Sequence, residues 1–119
     1  MVGRRECEID VNDVSRGLVL VIDKKQINRG KIYKAARWMN LGDEKGAIVL
    51  LSEVIKSALS EDDDPISFCE AQLFLAEIKQ SSGNHEAARK HLDTVMGIGD
   101  ERATEWRHRA ASLIDSFNE

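Results

Sequence analysis

Apolar residues recur along most of this chain at spacings of three and four, the pattern of helices that bury one face. Over 43–59, Ala47, Ile48, Leu50, Leu51, Val54, Ile55 and Ala58 keep that spacing, and over 65–82 Phe68, Ala71, Leu75 and Ile78 form one stripe that Leu73, Phe74 and Ala76 widen. After Asp100, the residues Ala103, Trp106, Ala110, Leu113 and Phe117 step alternately by three and four. Turn residues divide these runs. Gly42 and Gly83 can close a helix in the left-handed conformation, and Asp43 and Asn84 behind them can accept from the free amides of the next helix. Asp64 precedes Pro65, whose missing amide costs nothing at a first helical position. The predicted helices are 29–41, 43–59, 65–82, 84–97 and one capped by Asp100.

Residues 1–28 allow two readings. Leu18 to Ile22 is rich in β-branched residues and suits a buried strand. Val11, Val14, Leu18 and Val21 also fit a helix, and because the apolar pattern of 16–22 resembles that of 45–51 the favoured reading is a helix around 11–26 that packs on the first hairpin. The expected division is an N-terminal segment, 1–28, followed by a helical domain, 29–119.

The helical part repeats. Ala35, Gly42, Ala47, Leu51 and Val54 recur as Ala76, Gly83, Ala88, Leu92 and Val95, each 41 residues later, and a partial third copy begins at Trp106 with Ala110. Small residues are needed where the helices of a hairpin approach closely, and glycine where the first helix stops. In spacing and residue type the repeat resembles the tetratricopeptide family. The corner from Leu41 to Ala47 is also similar to small bacterial repeat modules that organise secretion or pilus machinery. The resemblance implies an all-α fold, a short right-handed array of antiparallel hairpins with about two and a half repeats. It also implies a non-catalytic adaptor, scaffold or chaperone that holds a partner's peptide or helix in a concave groove. Carried over by position, the groove residues are Arg29, Ile32, Ala36, Met39 and Asn40 in the first copy and Glu70, Leu73, Glu77, Gln80 and Ser81 in the second. The partial copy adds Thr104, Arg107, Ala111 and Ile114.

Composition narrows this picture. A chain of 119 residues with 42% hydrophobic and 32% charged residues has the material for one packed domain. No apolar run approaches the roughly 20 residues that cross a bilayer, and the N-terminus lacks the apolar core of a secretory signal, so a cytoplasmic protein without membrane insertion is expected. The net charge of -4 hides an asymmetry, because residues 1–40 carry nine basic and five acidic side chains and residues 41–100 five and twelve. Between Lys24 and Leu41 there are six basic residues and no acidic one. Lys31, Lys34 and Arg37 step by three beside Trp38, opposite Ile32, Ala35 and Met39, which predicts a basic face. Such a face could take an acidic protein segment. It also keeps open a nucleic-acid-associated helical protein, against which the acidic balance argues. An oligomeric subunit of a larger assembly is a third possibility, since open repeat ends favour self-association.

Enzymatic chemistry finds little support. The run from Glu61 to Asp64 lacks the ligand spacing of a calcium loop and reads as a helix start. His85, His91 and His108 do not share a helical face, and Cys7 and Cys69 lack the paired spacing of a zinc or redox site. Neither a metal nor a cofactor is expected. Replacing Ala76 or Ala88 with leucine should overpack the second hairpin and destabilise by roughly 1–3 kcal/mol. Unchanged thermal midpoints in both variants would mean that the repeat register is wrong.

Overall fold

The computed structural model describes residues 24–117, and every regular element among them is helical. Helix α1 spans Lys24–Asn40, α2 Glu44–Ala58, α3 Pro65–Ser81 and α4 His85–Met96. A 3₁₀ turn, Glu101–Ala103, leads into α5, Thr104–Phe117. The helix-or-strand alternative for the N-terminal segment, and Cys7, lie largely or wholly outside the described residues.

Both corners close in the same way. Gly42 and Gly83 have φ of 87° and 84°, conformations in which a Cβ would be strained. The amide of Asp43 donates to the Trp38 carbonyl at 2.7 Å, and that of Asn84 to the Lys79 carbonyl at 2.8 Å, so each final turn ends on a six-residue closure. The Asp43 carboxylate accepts from the Gly46 amide at 2.9 Å, and the Asn84 side chain from the Ala87 amide at 3.2 Å. These are the expected caps, at positions 41 residues apart.

The helices fold back in antiparallel pairs. Trp38 lies against Gly46 and Lys31 against Glu53, so positions advance in opposite directions along α1 and α2. Gln80 with His85 and Gln72 with His91 establish the same for α3 and α4. Each helix packs on its neighbours in sequence, and central α3 also touches α1 and α5. Leu51, Val54, Leu92 and Val95 are fully buried, as are Ala35, Ala47, Ala88 and Ala110. On α3, Phe68, Ala71, Leu75 and Ile78 are buried as the stripe predicts, together with Cys69. Burial pushes the Cys69 thiol up to about 11, which keeps it protonated and a poor nucleophile.

Residues 24–28, ahead of the predicted helix start at 29, belong to α1, so the expected division between 28 and 29 falls inside it. A tertiary contact anchors this stretch. Asn28 is buried at 3% exposure, and its amide donates to Asp62 at 3.1 Å and Asp64 at 3.2 Å in the loop between α2 and α3. Asp64 also caps α3 by accepting from the Ser67 amide at 3.2 Å, and Ser57 donates to Asp62. One buried amide thus ties the first turns of α1 to the start of the central helix, a link no local pattern announces. The neighbouring Asp63 has φ of 49° and pairs with Arg102 at 2.9 Å.

The Asn28→Ala variant takes one donor away from buried Asp64 and one from half-buried Asp62 and should lose about 1–3 kcal/mol. Urea unfolding measures it, and a loss within error would show that the tie carries no stability.

Candidate partner-binding groove

Helices α1, α3 and α5 stand side by side on one face, and three connected depressions run between them. The first is bounded by Arg29, Ile32 and Tyr33 of α1 and by Ile66 and Glu70 of α3. The second shares Ile32 and Glu70, adds Leu73, Phe74 and Glu77 from α3, and meets Trp106, Arg109 and Leu113 of α5. The third continues past Glu77 and Leu113 to Ala76, Gln80, Ser81 and Phe117. Their volumes, about 220, 230 and 160 Å³, fall below the roughly 300–1,000 Å³ of an enclosing small-molecule site. An open trough of this kind accepts side chains from an elongated ligand more readily than it encloses a metabolite.

The trough is apolar with charges set into it. Glu70 is half-buried, and burial pushes its carboxyl above the usual range while Arg29 and Arg109 pull it down. Arg109 pairs with Glu105 at 2.7 Å and lies 5.8 Å over the Trp106 ring. At the far end, His85 and Phe117 meet edge to face with centroids 6.4 Å apart.

Seven of the residues expected here line the trough: Arg29, Ile32, Glu70, Leu73, Glu77, Gln80 and Ser81. Met39 and Ile114 instead pack, partly buried, against the core, and Asn40 is exposed at the end of α1. Arg107 turns to the loop after α4, donating to the carbonyls of Ile98 and Asp100 and to Thr104 Oγ1. The third wall is therefore built from Trp106, Arg109, Leu113 and Phe117. As the last described helix, α5 offers the groove the side that faces α3, whereas position-by-position transfer assumed the side that α3 itself presents. The apolar stripe from Trp106 to Phe117 carried that information, but a stripe reads equally as buried core. Tyr33, 74% exposed, was also missed.

The expected basic face is arranged differently from its prediction. A helix advances about 100° per residue, so steps of three drift around it while steps of four and three stay in line. Accordingly Lys31, Ala35 and Trp38 share the side toward α2. Lys31 pairs with Glu53 at 3.0 Å, Ala35 is fully buried, and Trp38 is partly buried against the core. Lys34 sits 5.1 Å over the Trp38 ring, and Arg37 is exposed. Trp38 packs where a Cβ on Gly46 would lie 2.4 Å from its ring. Forty-one residues on, the same two positions hold Lys79 and Ala87. The large ring and the missing side chain are thus paired within one copy.

Other candidate chemistry stays dispersed. His91 Nδ1 is 2.7 Å from the Gln72 side-chain oxygen, and burial lowers its pKa. Among the described residues no three of histidine, cysteine, aspartate and glutamate gather to hold a metal ion, and no helix is long and apolar enough to cross a membrane. No family model, curated protein or solved structure matches the chain.

Gly46→Ala should force Trp38 out of its seat and cost about 1–3 kcal/mol in thermal or urea unfolding. Adding Trp38→Leu should return part of that loss, because the smaller side chain leaves room for the new methyl. Full additivity in the double-mutant cycle would show that the two positions do not couple.

Proposed function

We propose that this chain is a tetratricopeptide-like, non-catalytic module that holds a segment of a partner protein in the trough across α1, α3 and α5, as an adaptor or chaperone does. The supporting observation is the trough itself, a continuous row of apolar side chains in which Ile32, Phe74, Leu113 and Phe117 are half-exposed and Leu73 is buried among them, with charged groups along it. Apolar anchors flanked by charge suit an amphipathic helix or an extended peptide. The repeated glycine corners and buried alanines support the repeat reading, since they recur with the same geometry at the same offset. A nucleic-acid role through α1 has less support, because Lys31 is paired and Trp38 is packed against α2.

A photoreactive residue placed at Tyr33, and in a separate variant at Lys90 on the exposed side of α4, tests the assignment in the native source. The expected result is a discrete adduct from Tyr33 and none from Lys90. Adducts from Lys90 alone would move the binding surface off the trough.

A further inference from the structure

The charges in the trough are unevenly answered, and the imbalance identifies what it receives. Glu70 and Glu77 are seven residues apart on α3, about 10.5 Å along the axis at 1.5 Å per residue, with Leu73 and Phe74 between them on the same wall. Neither carboxylate has a hydrogen bond or an ion pair among the described residues. The cation of the opposite wall, Arg109, is engaged by Glu105 and lies over Trp106. Arg29 flanks Glu70 from α1 without forming an ion pair with it. Covering the trough with an apolar segment would strip water from both carboxylates and bring neither of them a direct partner, and an acidic segment would add repulsion at both.

We propose that the occupant is a basic amphipathic helix of a partner protein. Lysine or arginine at positions i and i+7 meets Glu70 and Glu77, and apolar residues at i+3 and i+4 meet Leu73 and Phe74. The acidic-apolar-apolar-acidic order on α3 is the same in both chain directions, so the helix fits in either orientation. This inference rests on the trough being the binding site and adds the chemistry of what fills it.

The test uses the full chain and two labelled synthetic helical peptides, followed by fluorescence anisotropy. One carries leucine at i+3 and i+4 with lysine at i and i+7, and the other has glutamate in place of both lysines. The lysine peptide should bind the tighter by roughly tenfold at low salt, and the E70Q/E77Q double variant should bring the two peptides to parity. Equal binding by the unaltered chain, or preference for the glutamate peptide, overturns the basic occupant and leaves the trough as a binding site. Failure of both peptides at millimolar concentration overturns both. A cross-link from a photoreactive residue at Leu113 to residues 1–23 of the same chain, or to a second copy, would assign the trough to that occupant and overturn the proposal.

Discussion

Alanines are buried on both helices of each hairpin, and the close packing that such small side chains allow is the constraint the rest of the architecture follows from. Ala35 and Ala47 in the first pair, and Ala76 and Ala88 in the second, are buried almost or entirely. A methyl side chain lets the backbones draw near enough for Leu51, Val54, Leu92 and Val95 to fill the space on either side. A larger residue there would separate the pair, tilt the next hairpin, and open the row of α1, α3 and α5 that forms the trough. The left-handed glycines at 42 and 83 belong to the same constraint, because a close pair needs a short, sharply turned corner.

Polar groups complete what the alanines begin. The helices could slide along one another if packing alone held them, since an apolar stripe has little registry. Asn28 ties α1 to the loop before α3, Arg102 joins Asp63 to Asp100, and Arg107 holds the carbonyls of Ile98 and Asp100. The Asn28 and Arg107 ties give buried or half-buried polar atoms their partners, while the Arg102 pairs lie exposed on the surface. The first hairpin has a steric registry mark as well, the Trp38 ring seated over Gly46. Together they set the width of the trough, so the positions of Glu70 and Glu77 relative to α5 depend on contacts far from them in sequence.

Much of the fold is legible in the residues. The corners, the caps at Asp43, Asp64 and Asn84, and the stripe of α3 lie where periodicity and turn chemistry put them. The site was partly legible. Seven of the residues expected for a groove, on α1 and α3, line the trough, whereas α5 lines it with residues other than those expected and Arg107 holds a loop. Among the described residues α5 has helical neighbours on one side, and the spacing of its apolar residues does not state which side that is. The basic face failed for a related reason. Steps of three among lysines look like a surface ridge, yet Lys31 lies on the same side as buried Ala35, and Glu53 on α2 meets it there.

Sequence alone determined what depends on neighbours within a turn or two: that the described residues are helical, where most helices stop and start, which small residues are buried, and that two glycine corners fall 41 residues apart. Local sterics and hydrogen bonding decide those features, and they act over a few residues. The tertiary structure decided how the first described turns of α1 are anchored, which face of α5 meets the trough, and which charges inside it have no ion-pair partner. Those outcomes depend on groups brought together from distant positions, such as Asn28 with Asp64 and Glu70 with Arg109. The energy of a buried amide or carboxylate is set by what surrounds it in space.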